Sequence, residues 1–233
     1  MPRGVQAIPE KTVGRLSLYR RLLRNLAVEG RKSVFSHQLA DMSRTTAAQV
    51  RRDIMSIGYS GSPQRGYGVD ELIEAIAKVL DAPEGQRVAL VGVGNLGKAL
   101  LAYFSGRRPR LSIAAAFDRD TYKAGRVILG CRCWGVDELR DVCLAEGIQA
   151  AVIAVPADQA QEVADRLVAA GIRGILNFAP VRLRVTGDVY VENVDMTMSL
   201  EKVAFFSRQV RPVSYTHLRA HETVLDLVCR LLL

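Results

Sequence analysis

Apolar residues in the first third of the chain recur at helical spacing. Between Ser17 and Gly30, Leu18, Leu22 and Leu26 return at every fourth position with Leu23 beside them, which predicts an amphipathic helix stopped by Gly30. Arg20, Arg21 and Arg24 fall on its other flanks. A short helix is predicted over Ser36–Met42, with Ser36 as N-cap and Leu39-Ala40 as its buried face. The next spans Thr45–Gly58: Thr45 caps it, Val50, Ile54 and Ile57 form an apolar stripe, and Gly58 ends it. Gln49, Arg51 and Arg52 point outward from that stripe. The loop Ser60–Gly68 then carries Pro63, Arg65 and glycines around Tyr67. A further helix, Val69–Leu80, runs into the turn Asp81-Ala82-Pro83-Glu84-Gly85.

Beyond that turn the period changes. Val88–Val91, Leu111–Phe117, Ala150–Val155, Gly174–Phe178 and Asp188–Val191 read as buried strands, with helices at Asn95–Phe104 and Gln159–Ala170. Strands alternating with helices predict a parallel sheet covered on both faces. A last amphipathic stretch, Met196–Phe206, is apolar at Met196, Leu200, Val203 and Ala204 and closes on Phe205-Phe206. The expected fold is therefore α/β. A winged helix-turn-helix domain (residues 1–82) precedes a Rossmann-like, doubly wound parallel sheet (83–192) and a C-terminal helix (193–211). Pro212–Leu233 fits no element of this plan. It reads as a non-native tail and is set apart, with His217, His221 and Cys229.

Composition narrows the class. Of 233 residues, 49% are hydrophobic, enough for a sizeable core, yet the apolar runs stop near eight residues and are too short for a transmembrane helix. The N-terminus lacks the apolar core of a secretory signal, and four cysteines are too few for a disulfide framework, so a cytoplasmic location is expected. The net charge of +8 is unevenly placed. Residues 1–69 hold 12 Lys and Arg against 4 Asp and Glu; residues 70–233 hold 20 of each. A basic unit joined to a neutral one points to a polyanion.

The predicted helix pair has the order of a helix-turn-helix, whose second helix enters the major groove of double-stranded DNA. Gln49 suits adenine, while Arg51 and Arg52 suit guanine or phosphate. The loop holding Arg65, Gly66 and Tyr67 suits a wing along the minor groove.

Gly92-Val93-Gly94-Asn95-Leu96-Gly97 is a G-x-G-x-x-G between a predicted strand and a predicted helix. Gly92 permits the tight turn, Gly94 lets the backbone approach a pyrophosphate, and Gly97 lets helix and strand pack closely. Asp118 falls at the end of the next strand, where an acid binds ribose hydroxyls and disfavours a 2′-phosphate, which makes NAD(H) the expected cofactor. Outside the tail the only histidine is His37, and no Tyr-x-x-x-Lys, G-x-S-x-G or H-E-x-x-H occurs. A dinucleotide fold without an evident acid–base group suggests sensing, not turnover. A small NAD-dependent oxidoreductase and a coenzyme-A-binding regulatory module stay open as alternatives. Cys131 and Cys133 form a C-x-C without further partners, which reads as burial, not zinc.

From about Ile8 to Phe206 the chain resembles the Rex family of redox-sensing transcriptional repressors. The resemblance rests on RLSLYRRLL (Arg15–Leu23), AAQVRRDI (Ala47–Ile54), RGYG (Arg65–Gly68), GVGNLGKAL (Gly92–Leu100), GIRGILNFAP (Gly171–Pro180) and VENVDMTMSLEKVAFF (Val191–Phe206). It implies a homodimer that binds a palindromic operator and leaves it when NADH replaces NAD+, with the terminal helix swapped into the partner. It also implies DNA contacts from Arg51, Arg52, Arg65 and Gly66, and a cofactor site built from Gly92–Gly97, Asp118, Tyr103 and Asp195. Arg21, Tyr103 and Asp195 would couple that site to the helix-turn-helix. Met196 stands where some relatives place an aromatic residue near the nicotinamide, and the wing approach GYSGSPQRGYG differs from the commoner phenylalanine-rich version.

Overall fold

The computed structural model describes residues 8–105 and 110–209. The tail 212–233 lies outside the described residues. The first helix, α1 (Glu10–Val28), begins well before Ser17 and packs against α4 (Val69–Leu80), α2 (Ser36–Ser43) and α3 (Ala47–Ser56). Its buried stripe is Leu16, Tyr19, Leu23 and Leu26: of the expected residues Leu23 and Leu26 belong to it, while Leu18 and Leu22 are only half-buried. Arg20 is likewise buried instead of flanking, because its guanidinium meets Asp81 at 2.6 Å. Gly30 does end the helix, at φ +77°, with Arg31 N–H closing on Leu26 O.

The caps of the next two helices fall one residue from their expected places. Phe35 stands at the N-cap of α2 and its N–H donates to Gln38 Oε1 at 2.9 Å, so Ser36 is the first helical residue. Arg44 leaves α2 in the left-handed region (φ 53°), and Thr45 N–H is bound by Ala40 O. The cap of α3 therefore passes to Thr46, whose hydroxyl accepts Gln49 N–H at 3.2 Å. Val50 and Ile54 are buried below it. Strands β1 (Ser33–Val34) and β2 (Tyr67–Gly68) pair antiparallel at the base of the intervening loop.

The sheet of the second unit runs β5-β6-β4-β3-β7-β8-β9, every neighbour parallel except β5 with β6. Its strands are β3 (Gln86–Val91), β4 (Leu111–Asp118), β5 (Val127–Ile128), β6 (Cys131–Gly135), β7 (Ala150–Ile153), β8 (Gly174–Asn177) and β9 (Tyr190–Asn193). Two of them, β5 and β6, and the helix α6 (Leu139–Ala145) were not expected from the sequence. Helix α5 (Asn95–Phe104) covers one face through Leu101, against Leu90, Val152 and Cys133. Helices α6 and α7 (Ala157–Ala169) cover the other through Leu139, Cys143, Ala164 and Leu167. Cys131 and Cys133 are buried in β6, and burial pushes the Cys131 thiol up to about 11, as for an inert core residue. Among the described residues no helix is long and apolar enough to cross a membrane.

The last helix, α8 (Met196–Gln209), has no buried residue. Leu200, Val203 and Phe206 are 60–70% exposed, so an apolar face stands away from the rest of the chain.

Candidate functional site

Strand order reverses at β3, whose neighbours β4 and β7 lie on opposite sides of it. In open α/β sheets the crevice beyond the strand ends at such a point is where ligands bind. Here it is a cleft of about 440 Å³ lined by Gly92 and Gly94 after β3, Asp118 at the end of β4 and Lys123 beyond it, and Val155-Pro156 after β7.

The three glycines do distinct work. A Cβ on Gly92 (φ +98°) would sit 2.5 Å from Ala154 O, and one on Gly97 would sit 2.0 Å from Gly92 O. Neither position admits a side chain. A Cβ on Gly94 would meet nothing within 4 Å. Gly94 is therefore bare for a reason other than packing: its open face borders the cleft at the start of α5, where the first-turn N–H groups have no intrahelical acceptor. No acidic residue stands in that turn to compete with a phosphate.

Asp118 closes the other side of the cleft. Its Oδ2 accepts Val93 N–H (2.8 Å) and Lys123 Nζ (2.9 Å), and its Oδ1 accepts Asp120 N–H (2.9 Å). Burial alone would raise the carboxyl, but these donors outweigh it and hold it below the usual carboxylate range. A carboxylate has about four acceptor positions, so the one left open, on Oδ1, fits one ribose hydroxyl. Lys123, five residues past Asp118 on a loop, was not singled out in the sequence. Only the fold turns it back onto the carboxylate. Asn95 is exposed, Leu96 half-buried and Val93 buried, so in this loop Val93 contributes its backbone, not its side chain.

On the basic unit, Arg51 and Arg52 are exposed on α3. Arg51 Nη1 donates to Ser36 Oγ (3.0 Å), and Arg52 Nη2 donates to Gln49 Oε1 (2.9 Å). Gln49 is half-buried, and its Nε2 donates to Asp53 Oδ1 at 2.8 Å. Asp53 is buried and also receives both Nε and Nη2 of Arg15 and the hydroxyl of Tyr19. The wing is a tight turn: Ser62 and Gly66 exchange two backbone hydrogen bonds, which leaves Arg65 exposed near the tip. Gly66 sits at φ +72° and a Cβ there would lie 2.6 Å from Val34 O. Tyr67 is only 7% exposed and packs in the helical core, where β1–β2 pairing turns it inward, so its side chain anchors the wing.

The expected coupling residues are not gathered in the cleft of one chain. Arg21 is exposed on α1, and Tyr103 is 56% exposed at the far end of α5, edge-on to Phe104. Asp195 is fixed by its surroundings. Val194 N–H donates to Asn177 O, and buried Asn177 donates to Asn193 Oδ1. The Asp195 carboxylate then accepts Met198 N–H at 2.7 Å and caps α8.

Comparisons with known proteins match both halves. A family model described as the N-terminus of a putative DNA-binding protein covers residues 7–54, and one described as a CoA binding domain covers residues 84–181. A redox-sensing transcriptional repressor Rex of Carboxydothermus hydrogenoformans is 42% identical over 202 residues, which is 87% of this chain and 97% of that protein. The Rex of Bacillus cytotoxicus is 39% identical over 86% of this chain and 96% of its own. Among solved structures, the Rex-family repressor RSP is similar at 31% identity. Its complex with β-NAD+ and operator DNA aligns with a TM-score of 0.80 over 88% of this chain and 94% of that one, and its complex with β-NADH aligns with 0.77. By its identity to these relatives over nearly its whole length, the chain belongs to the Rex family of redox-sensing transcriptional repressors.

Proposed function

We propose that this chain is a cytoplasmic, homodimeric repressor that binds a palindromic operator, releases it on binding NADH, and catalyses no turnover. The observation that carries the reading is a pairing within one chain. Bare Gly94 and the Asp118 carboxylate frame a dinucleotide cleft, while Arg51, Arg52 and Arg65 stand exposed on a separate helical unit. The relative RSP, solved with operator DNA and NAD+ and also with NADH, supports both halves. Residues 1–82 form the DNA-binding unit, 83–192 the NAD(H) unit, and 193–211 the segment that crosses to a second copy. The exposed apolar face of α8 supports that crossing, since a monomer would leave it in water. On this reading Arg51, Arg52, Arg65 and the Gly66 backbone face DNA. Gly92–Gly97 and Asp118 hold the cofactor, and Arg21, Tyr103 and Asp195 link the two units across the dimer.

The match to a CoA-binding family model favours a second reading, coenzyme A, which Asp118 opposes: a 3′-phosphorylated ribose would bring a dianion against that carboxylate. The experiment is an operator titration at fixed NAD+ with rising NADH, repeated with coenzyme A. A loss of operator affinity of roughly 5- to 150-fold on NADH, the usual span of such coupling, is expected. Tight NADH binding with unchanged operator affinity would overturn the sensor, and NADH consumption with a carbonyl substrate would favour an oxidoreductase.

A further inference from the structure

Gln49 sits on the outward face of the second helix of the helix-turn-helix, where its side chain type suits an adenine edge. In the structure its amide is committed at both ends. Nε2 donates to Asp53 Oδ1 (2.8 Å), and Oε1 accepts Arg52 Nη2 (2.9 Å). The orientation of this amide is dictated twice over. Asp53 is an ionised carboxylate and can only accept; Arg52 is a guanidinium and can only donate. Turning the amide over would place donor against donor and acceptor against acceptor. An adenine contact uses the same two atoms, one as donor and one as acceptor, so a base would have to share them with Asp53 and Arg52, which already set the plane of the amide.

Asp53 is in turn held from several sides. It is 98% buried, and Arg15 of α1 grips it through two nitrogens at 2.6 and 2.7 Å while Tyr19 donates at 3.0 Å. A chain of hydrogen bonds thus runs from α1 through Asp53 and Gln49 to the guanidinium of Arg52, each link with a single permitted polarity.

We propose that Gln49 is a positioning residue, not a base reader: it holds the Arg52 guanidinium in place before DNA arrives. This rests on the reading of Arg52 as a DNA contact. Fixing a long side chain in advance removes its ordering cost from binding, an effect of roughly 2- to 12-fold in affinity per recognition helix. A dimer on two half-sites shows the product of the two factors.

A double-mutant cycle on operator affinity tests this in the full-length protein, with Gln49→Ala, Arg52→Ala and the pair. Thermal unfolding of each variant checks that the helical unit stays folded. Gln49→Ala is expected to weaken binding by the factor above in the parent and by less than about 2-fold when Arg52 is already Ala. Base substitutions along the operator should show that Gln49→Ala relaxes preference only where Arg52→Ala does. An equal loss in both backgrounds, or relaxed preference at a base pair that Arg52 does not affect, would show that Gln49 touches DNA itself and overturn the proposal. If the parent binds operator and Arg52→Ala changes nothing, the reading of Arg52 fails and takes the proposal with it. If the parent binds no operator at all, the repressor reading itself fails.

Discussion

Arg15 on α1 and Asp53 on α3, 38 residues apart, form a two-pronged ion pair whose carboxylate is buried. Burial alone would raise the Asp53 carboxyl, but the donors from Arg15, Gln49 and Tyr19 outweigh it and hold it below its ordinary value. Tyr19 is pushed the other way, by burial first and by Asp53 second. The pair ties the helix that carries Arg51 and Arg52 to the helix that spans the unit.

Removing the carboxylate takes away the shared buried acceptor of Arg15, Tyr19 and Gln49. Asp53→Ala is expected to cost about 3 kcal/mol of unfolding free energy, measured by urea denaturation. The pH dependence follows from a depressed carboxyl: its contribution is fully present above the unfolded value, about 3.9, and is lost as pH falls through the lower folded value. Denaturation midpoints should therefore fall below about pH 4 in the parent, and less steeply in Asp53→Asn.

Arg20 and Asp81 set a second test, at the junction of the two units. Their contact is 2.6 Å long and both side chains are more than four-fifths buried. Asp81→Ala strands the guanidinium and is expected to cost about 1–3 kcal/mol. Replacing both with leucine should restore stability to within about 1 kcal/mol of the parent, because no lone charge remains. A double variant as unstable as the single one would show that the pair is not what holds this corner.

Gly94 and Gly97 should separate binding from folding. Gly94→Ala meets no neighbour within 4 Å, so its thermal midpoint should stay close to the parent while NADH and NAD+ affinities fall at least 10-fold. Gly97→Ala drives a Cβ to 2.0 Å from Gly92 O and should lower the midpoint and nucleotide binding together. Calorimetric titration beside thermal scans distinguishes the two patterns.

Asp195 combines a cap with a charge, and asparagine separates them. Asp195→Asn keeps an acceptor for Met198 N–H, so α8 and the oligomeric state seen by light scattering should persist. If the charge links cofactor and DNA units across the dimer, the NADH-induced loss of operator affinity should shrink in this variant. Asp195→Ala should lose both properties, the cap being worth about 1 kcal/mol.

Local patterns in the sequence located the elements that depend on neighbours in the chain. Val69–Leu80 and Asn95–Phe104 are helices over those same residues, and Gly92, Gly94 and Asp118 meet in one cleft because strand–turn–helix geometry fixes their spacing. What stayed hidden depends on distant partners. Arg20 looked like a solvent-facing charge because Asp81 lies 61 residues away. The α1 stripe shifted because Tyr19 can be buried only where Asp53 receives its hydroxyl. β5 and β6 are short and lack a long apolar run, since β5 is an edge strand and β6 alternates buried cysteines with exposed Arg132. Gln49 looked free for the same reason as Arg20: its partner Asp53 is one turn away, but the burial of Asp53 comes from α1.

The grip of its own chain on Asp118 has a consequence for what the repressor measures. Val93 N–H, Asp120 N–H and Lys123 hold the carboxylate ready before any nucleotide arrives, and on the reading proposed above they hold it against the adenosine end, which NAD+ and NADH share. This grip therefore cannot tell the two forms apart; it raises the affinity of each by one common factor. Where the combined pool is large enough to keep the cleft filled, that factor cancels and occupancy is decided by competition between the forms. On the reading proposed above, the protein then behaves as a comparator whose reference input is the oxidised form. Doubling both nucleotides together would leave its output unchanged, while exchanging one for the other would move it.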